Sequence, residues 1–195
     1  MRHIVFGVLL SSFALADVAY TVNVDTTLLS GTSGYVAFDF LQGNPIVNNI
    51  VTISNFASDA TLLGLTPTGD AFGTVSPGPG TLDDENFFFN ELLEQVTFGT
   101  TISFLLDLTT FGAATPDNFA FYLLNMSQFP IVTSDPTGAD SLFSIDVTGP
   151  SLTPNVYTSA DATATLTPFV SSAPEPASFW LLGIPLLGLI RRRVR

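Results

Sequence analysis

General-base, Schiff-base and anion-clamping chemistry draws on His, Lys and Arg, and this sequence keeps all three out of its interior. The basic residues are Arg2, Arg191, Arg192, Arg193 and Arg195, and the single histidine is His3. Between His3 and Ile190 a Ser-His-Asp triad and a His-bearing zinc site are excluded. The chain has no cysteine, which removes thiolate metal sites, a Cys nucleophile and disulfides. Oxygen chemistry is what remains. Paired carboxylates of the glycoside-hydrolase kind could come from Asp39, Asp107, Asp146, Glu91 or Glu94, provided that two of them face each other in one cleft. Asp39 and Asp107 fall on predicted strands opposite their apolar faces, which points them toward solvent. No catalytic residues and no enzymatic activity are therefore expected.

Two binding chemistries use the same residue types. Hard-oxygen donors for a structural Ca²⁺ would be Asp83, Asp84 and Glu85 together with Asp59, Asp70, Asp117, Asp135 and Asp140. No D-x-D-x-D-G loop gathers them, so the expectation is no metal and no cofactor, with structural calcium as the alternative. A sugar platform needs exposed flat aromatic rings. The only tryptophan, Trp180, lies near the C-terminus, which leaves Tyr20, Tyr35, Tyr122 and Tyr157 as candidates.

The elements that would position these residues are strands. Period-two alternation predicts strands over 19–25 (Tyr20, Val22 and Val24 inward), 34–41 (Val36, Phe38, Phe40), 50–56 (Val51, Ile53), 101–108 (Ile102, Phe104, Leu106, Leu108) and 119–124 (Phe119, Phe121, Leu123). Further strands are predicted over 142–147 and 157–166. Turn chemistry separates them at Gly43-Asn44-Pro45, Thr66-Pro67-Thr68-Gly69-Asp70, Pro77-Gly78-Pro79-Gly80 and Asp135-Pro136-Thr137-Gly138. One segment reads otherwise. Asp83-Asp84-Glu85 complements a helix N-terminus, and Phe88, Leu92 and Gln95–Val96 share a helical face, predicting one short helix over 82–95. The fold class is all-β: an antiparallel β-sandwich, jelly-roll-like, with one short helix.

Hydrophobic residues make up 46% and charged residues 11% of the chain, enough apolar surface to fold. Sixteen of the seventeen acidic residues lie between Asp17 and Asp161, and no cation accompanies them. Such a body cannot neutralise phosphates, so nucleic-acid binding is excluded, and its stability rests on burial and backbone hydrogen bonds.

The two ends carry address labels. Met1-Arg2-His3, the apolar run Ile4 to Phe13, and Ala14-Leu15-Ala16 form a signal peptide over 1–16, read by the Sec translocon and cut by signal peptidase after Ala16 to leave Asp17 first. At the other end, Pro174-Glu175-Pro176 is extended because proline fixes φ and disfavours helix before it. An uncharged apolar stretch of 14 residues, Ala177 to Ile190, follows, and then Arg191, Arg192, Arg193 and Arg195. A full helical span takes about 20 residues, but arginine side chains snorkel and bilayers thin locally. The arginines form a stop-transfer anchor on the cytoplasmic side. The sequence thus divides into the leader, an exported acidic domain (17–168), a linker with the Pro-Glu-Pro motif (169–176), and a transmembrane anchor with an Arg-rich tail (177–195).

This three-part tail, over 172–195, resembles the PEP-CTERM sorting signal of Gram-negative bacteria. The resemblance implies processing by an exosortase-like membrane enzyme that recognises Pro174, Glu175 and Pro176. The tail would be its substrate, with transient N-out/C-in residence in the inner membrane before release to the cell surface or an exopolysaccharide matrix. The domain itself, through Val22-Asn23-Val24-Asp25-Thr26, Leu29 to Tyr35 and Phe98 to Phe104, is similar to a numbered family of exported PEP-CTERM proteins with no assigned activity. The expected function is a non-catalytic surface or matrix protein. The alternative is a carbohydrate-binding module of the extracellular matrix.

Overall fold

The computed structural model describes residues 17–46, 48–149 and 151–169. The leader with Ala14 and Ala16, and the C-terminal segment with Pro174, Glu175, Pro176, Arg191, Arg192, Arg193 and Arg195, lie outside the described residues. Asp17 is the first one described. Among the described residues no helix is long and apolar enough to cross a membrane.

The chain forms strands β1 (Val18–Asp25), β2 (Ser33–Leu41), β3 (Ile50–Ser58), β4 (Thr61–Thr68), β5 (Ala71–Gly73), β6 (Gly80–Asp83), β7 (Phe89–Thr97), β8 (Thr101–Leu108), β9 (Asp117–Asn125), β10 (Phe143–Val147), β11 (Asn155–Val156) and β12 (Thr163–Phe169). They make two antiparallel six-stranded sheets: β12-β1-β8-β3-β6-β5, here sheet A, and β11-β10-β9-β2-β7-β4, sheet B. The fold is all-β and sandwich-like. The inward faces are those the alternation predicts: Tyr20, Val22 and Val24 from β1, Val36, Phe38 and Phe40 from β2, Ile102 to Leu108 from β8, and Phe119 to Leu123 from β9 are buried in one core.

Phenylalanine holds the sheets together. The Phe38 ring of sheet B stands edge-on to Phe104 of sheet A at 5.3 Å and 78°, and Phe121 lies 5.3 Å from Phe38 and 5.4 Å from Phe104. Phe143 extends the cluster by stacking on Phe121 at 5.2 Å. Edge-on and offset rings place positive ring edges against negative ring faces, which adds to area burial.

Three expectations are corrected. The segment 82–95 is not a helix. Asp83 ends β6, Asp84 to Phe88 form a turn, and β7 follows. Asn90, Leu92, Glu94 and Val96 are buried at period two, and β7 lies between β2 and β4, where both ladders satisfy its backbone. The helical spacing of Phe88, Leu92 and Val96 is incidental to this, and one 3₁₀ turn at Thr27–Leu29 is the only helix among the described residues. Of the turn expected over Thr66-Pro67-Thr68-Gly69-Asp70, the bend falls at Gly69-Asp70, and Thr66-Pro67-Thr68 still belong to β4, an edge strand of the kind that tolerates proline. The predicted strand over 157–166 is broken, because β11 belongs to sheet B and β12 to sheet A, so the chain must cross between them at Tyr157 to Ala162.

Truncating Phe38 to Ala removes a ring fully buried between the sheets and is expected to cost about 3–5 kcal/mol. Equilibrium urea unfolding measures it, and a loss below about 1 kcal/mol would show that the inter-sheet cluster is not the seat of stability.

Candidate functional site

The outward face of sheet B is not uniformly wet. Side chains of β2, β7 and β9 that point away from the core form a second small apolar cluster, in which Ala37, Leu93 and Leu124 are buried with Tyr35 and Tyr122 packed on them. The 126–142 segment folds back over this face. Its backbone bridges Leu124 to Pro130, and Ile131 N–H donates to the Leu123 carbonyl at 3.0 Å. Asp135 shapes the segment's turn by accepting from Thr137 N–H at 2.9 Å, Thr137 Oγ1 at 2.7 Å and Ser141 Oγ at 2.7 Å.

Between sheet and segment lies a cleft of about 270 Å³ lined by Ala37, Asp39, Glu91, Tyr122, Gln128 and Pro130, among others. Asp39 of β2 and Glu91 of β7 are direct cross-strand partners. Like carboxylates in register repel, and burial penalises their charge further. Burial first, then Glu91, pushes the Asp39 carboxyl up to about 8. Burial raises Glu91 as well, while a hydrogen bond from Asp39 opposes that rise. The Asp39 carboxyl is thus held toward its neutral form beside Glu91. Asp39 Oδ1 is buried with no hydrogen-bond partner. Tyr122 beside them is pushed up to about 12, chiefly by burial and then by the charges of Asp39 and Asp135. Tyr157, outside the cleft lining, has its hydroxyl 3.2 Å from Ser144 Oγ.

The carboxylate candidates therefore separate. Asp39 lies on the face of sheet B opposite the core, as its strand position suggested, but it is only half exposed beside the 126–142 segment and is the cross-strand partner of Glu91. Asp107 is on sheet A with Asp17 as its charged neighbour. Asp146 accepts from Asn118 Nδ2 at 2.8 Å. Glu94 is buried and accepts from Gly64 N–H at 3.0 Å, where β4 bulges between Leu62 and Gly64. Of the tyrosines, Tyr20 is core and donates to the Leu152 carbonyl at 2.8 Å, whereas Tyr35 and Tyr122 lie on the outward face of sheet B. The pairing of Asp39 with Glu91 was invisible in the sequence because it depends on strand register, and on β7 being a strand at all.

Of the acids named for calcium, Asp59, Asp70, Asp83, Asp84, Asp117, Asp135 and Asp140 accept hydrogen bonds from backbone N–H groups, amides and hydroxyls. Asp59 accepts from Thr100 N–H, Thr100 Oγ1 and Thr101 N–H, which hold its carboxyl down at about 2. Asp70 accepts from Asn86, and Asp140 from Thr133 N–H. Asp84 and Asp117 meet around Asn49, all three fully buried. Asn49 N–H donates to Asp84 at 2.7 Å, Asn49 Nδ2 to Asp117 at 2.7 Å, and Gly43 N–H to Asp117 at 2.7 Å. Burial outweighs these donors at Asp84 and, with Asp117 adding to it, pushes the carboxyl up to about 7. Among the described residues no three acidic or histidine side chains gather as a metal site.

A larger concavity of about 470 Å³ on sheet A is lined by Thr, Ser and Asn side chains with Asp25, and carries no aromatic ring. Asp25 is already engaged by Thr27 N–H and Oγ1. The sheet B cleft is thus the site with unused chemistry. Comparison with known proteins finds no matching family model, no matching curated protein and no matching solved structure.

Two outcomes follow. Folded Asp39 keeps its proton up to about 8, whereas the unfolded carboxyl releases it near 3.8. The folded state binds the extra proton between those values, so stability is full below the lower one and falls as pH rises through the upper one. Thermal unfolding should show a melting temperature that declines across this window, with a shallower decline in Asp39→Asn; parallel profiles would refute the raised Asp39 carboxyl. Replacing Asn49 with Ala removes the amide that donates to the buried Asp117 carboxylate and holds the Phe111 backbone, while the N–H that serves Asp84 remains, and should cost about 2–4 kcal/mol in urea unfolding.

Proposed function

We propose that this chain is an exported, transiently membrane-anchored surface or matrix protein sorted by an exosortase-like enzyme, with no catalytic activity of its own. The observation that carries the reading is the order at the C-terminus: Pro174-Glu175-Pro176, an uncharged apolar stretch, and an arginine cluster. The strand arrangement is consistent with it. The order β1-β8-β3-β6 opposite β2-β7-β4 supports the jelly-roll-like reading, a scaffold common among binding and structural modules.

Pulse-chase fractionation tests the sorting. The full chain should pass through the membrane fraction before release. Deletion of residues 172–195 should send the domain directly to the soluble exported fraction, and Ala at 174–176 should hold it in the membrane. Unchanged fractionation in both variants would end this reading.

The cleft favours a second reading, carbohydrate binding. Tyr122 offers a ring, and Asp39, Glu91 and Gln128 offer polar groups to hydroxyls. The acid pair and the cation-free body select a neutral polysaccharide over an anionic one. Retention on an immobilised neutral glycan, lost in Tyr122→Ala while folding is intact, would establish it; absence of retention across a neutral panel would remove it.

A further inference from the structure

Exposed apolar side chains occur at both ends of the sandwich, Leu28, Met126 and Phe129 at one and Ile46, Phe87, Phe88, Phe111 and Phe169 at the other, and only the second group lies where the described chain enters and leaves. The loops joining β2 to β3, β6 to β7 and β8 to β9 all emerge there, since Leu41 pairs with Phe89 and Asn118 in sheet B, and Ile50 with Asp83 in sheet A. Their tips carry Ile46 (90% exposed), Phe87, Phe88 (68% exposed) and Phe111. Phenylalanine rings left in water at adjoining loop tips form the kind of surface that marks a partner or a membrane.

These tips are held in place. Gln42 N–H donates to the Phe88 carbonyl at 2.9 Å, and the Gln42 side chain donates to the Asp84 carbonyl. The Asn49 amide grips Phe111 from both sides, donating to its carbonyl at 2.8 Å and accepting from its N–H at 2.9 Å. Ile46 N–H is fixed by Asn44 Oδ1 at 2.9 Å. The Asn49–Asp84–Asp117 cluster is thus a foundation under the loops, and apolar tips on a polar foundation are presented outward at fixed spacing.

Both chain ends leave from the same end. Val18 pairs with Leu108 and Phe169 with Ala19, and Phe169 is itself half exposed. Seven residues separate Phe169 from Ala177, a reach of about 25 Å when fully extended. The strands are about 30 Å long, so this linker cannot bring the opposite end to the bilayer without the domain folding back over its own tether.

We infer that the end bearing Ile46, Phe87, Phe88 and Phe111 rests on the lipid surface while the chain is anchored, its rings set into the headgroup region. The inference rests on the anchoring read above for residues 177–190. The partner is a zwitterionic bilayer, because Glu85 is exposed and Asp83 half exposed beside the phenylalanines and both repel anionic headgroups. The domain is therefore seated on the membrane and not held clear of it by the linker. Rings at this depth act as interfacial anchors.

The test uses the single native tryptophan, Trp180. The full chain is reconstituted into phosphatidylcholine vesicles with brominated acyl chains. Trp180 is read in the native chain, and one reporter each in Phe88→Trp/Trp180→Phe and Leu28→Trp/Trp180→Phe. Leu28 is 74% exposed at the opposite end. The reporter at position 88 should be quenched several-fold more than the one at 28. Equal or absent quenching at 88 overturns the inference, even where Trp180 is strongly quenched. Quenching at 88 without quenching of Trp180 sustains the lipid-facing end and instead overturns the anchor. Both positions unquenched overturn both.

Discussion

No side chain in the described domain carries a positive charge at neutral pH, and the polar architecture follows from that constraint. A carboxylate that elsewhere would meet lysine or arginine must here take its donors from backbone N–H groups, amides and hydroxyls. Asp59 staples the β7–β8 connection through three such donors, Asp135 folds the segment above sheet B, and Glu94 fills the gap left by the β4 bulge. Where donors suffice and water is near, the carboxyl stays ionised. Where burial outruns them, at Asp39 and Asp84, the proton takes the place of the missing cation. Electrostatics therefore contributes local shape, and cohesion between the sheets falls to the phenylalanine core.

Legibility in the sequence followed the same division. Strands β1, β2, β8 and β9 could be read because each buries one face, so alternation at Tyr20–Val24 or Ile102–Leu108 is uninterrupted. β7 could not. Phe88, Leu92 and Val96 satisfy the helical period while Leu92, Glu94 and Val96 satisfy the strand period, and only its place between β2 and β4 decides between them. The acidic triplet before it looked like a helix start and is the end of β6 and a turn. β4 was hidden by Pro67, whose breaker meaning lapses on an edge strand. The site was less legible than the fold. That Asp39 meets Glu91, or Asn49 joins Asp84 to Asp117, depends on register between strands far apart in sequence. Tyr20 and Tyr122 look alike as strand tyrosines and part only by the face they occupy.

The two regions of unused chemistry sit apart. The acid-paired cleft lies on the outward face of sheet B under the 126–142 segment, while the phenylalanine-tipped loops crown the end where the chain enters and leaves. A domain seated by those loops would keep its cleft on the flank, so the two surfaces would not compete.

The path of the chain has a consequence for how the molecule is made. β1, first to emerge, is an interior strand of sheet A, and its neighbours β8 and β12 come from the middle and the very end of the domain. It has no partner to zip against until β8 has been made, and sheet A cannot close until Phe169 has followed. Such long-range pairing makes self-assembly slow. A chain made from its N-terminus onward therefore keeps sheet A open until the closing strand arrives, after nearly all of the domain is already present.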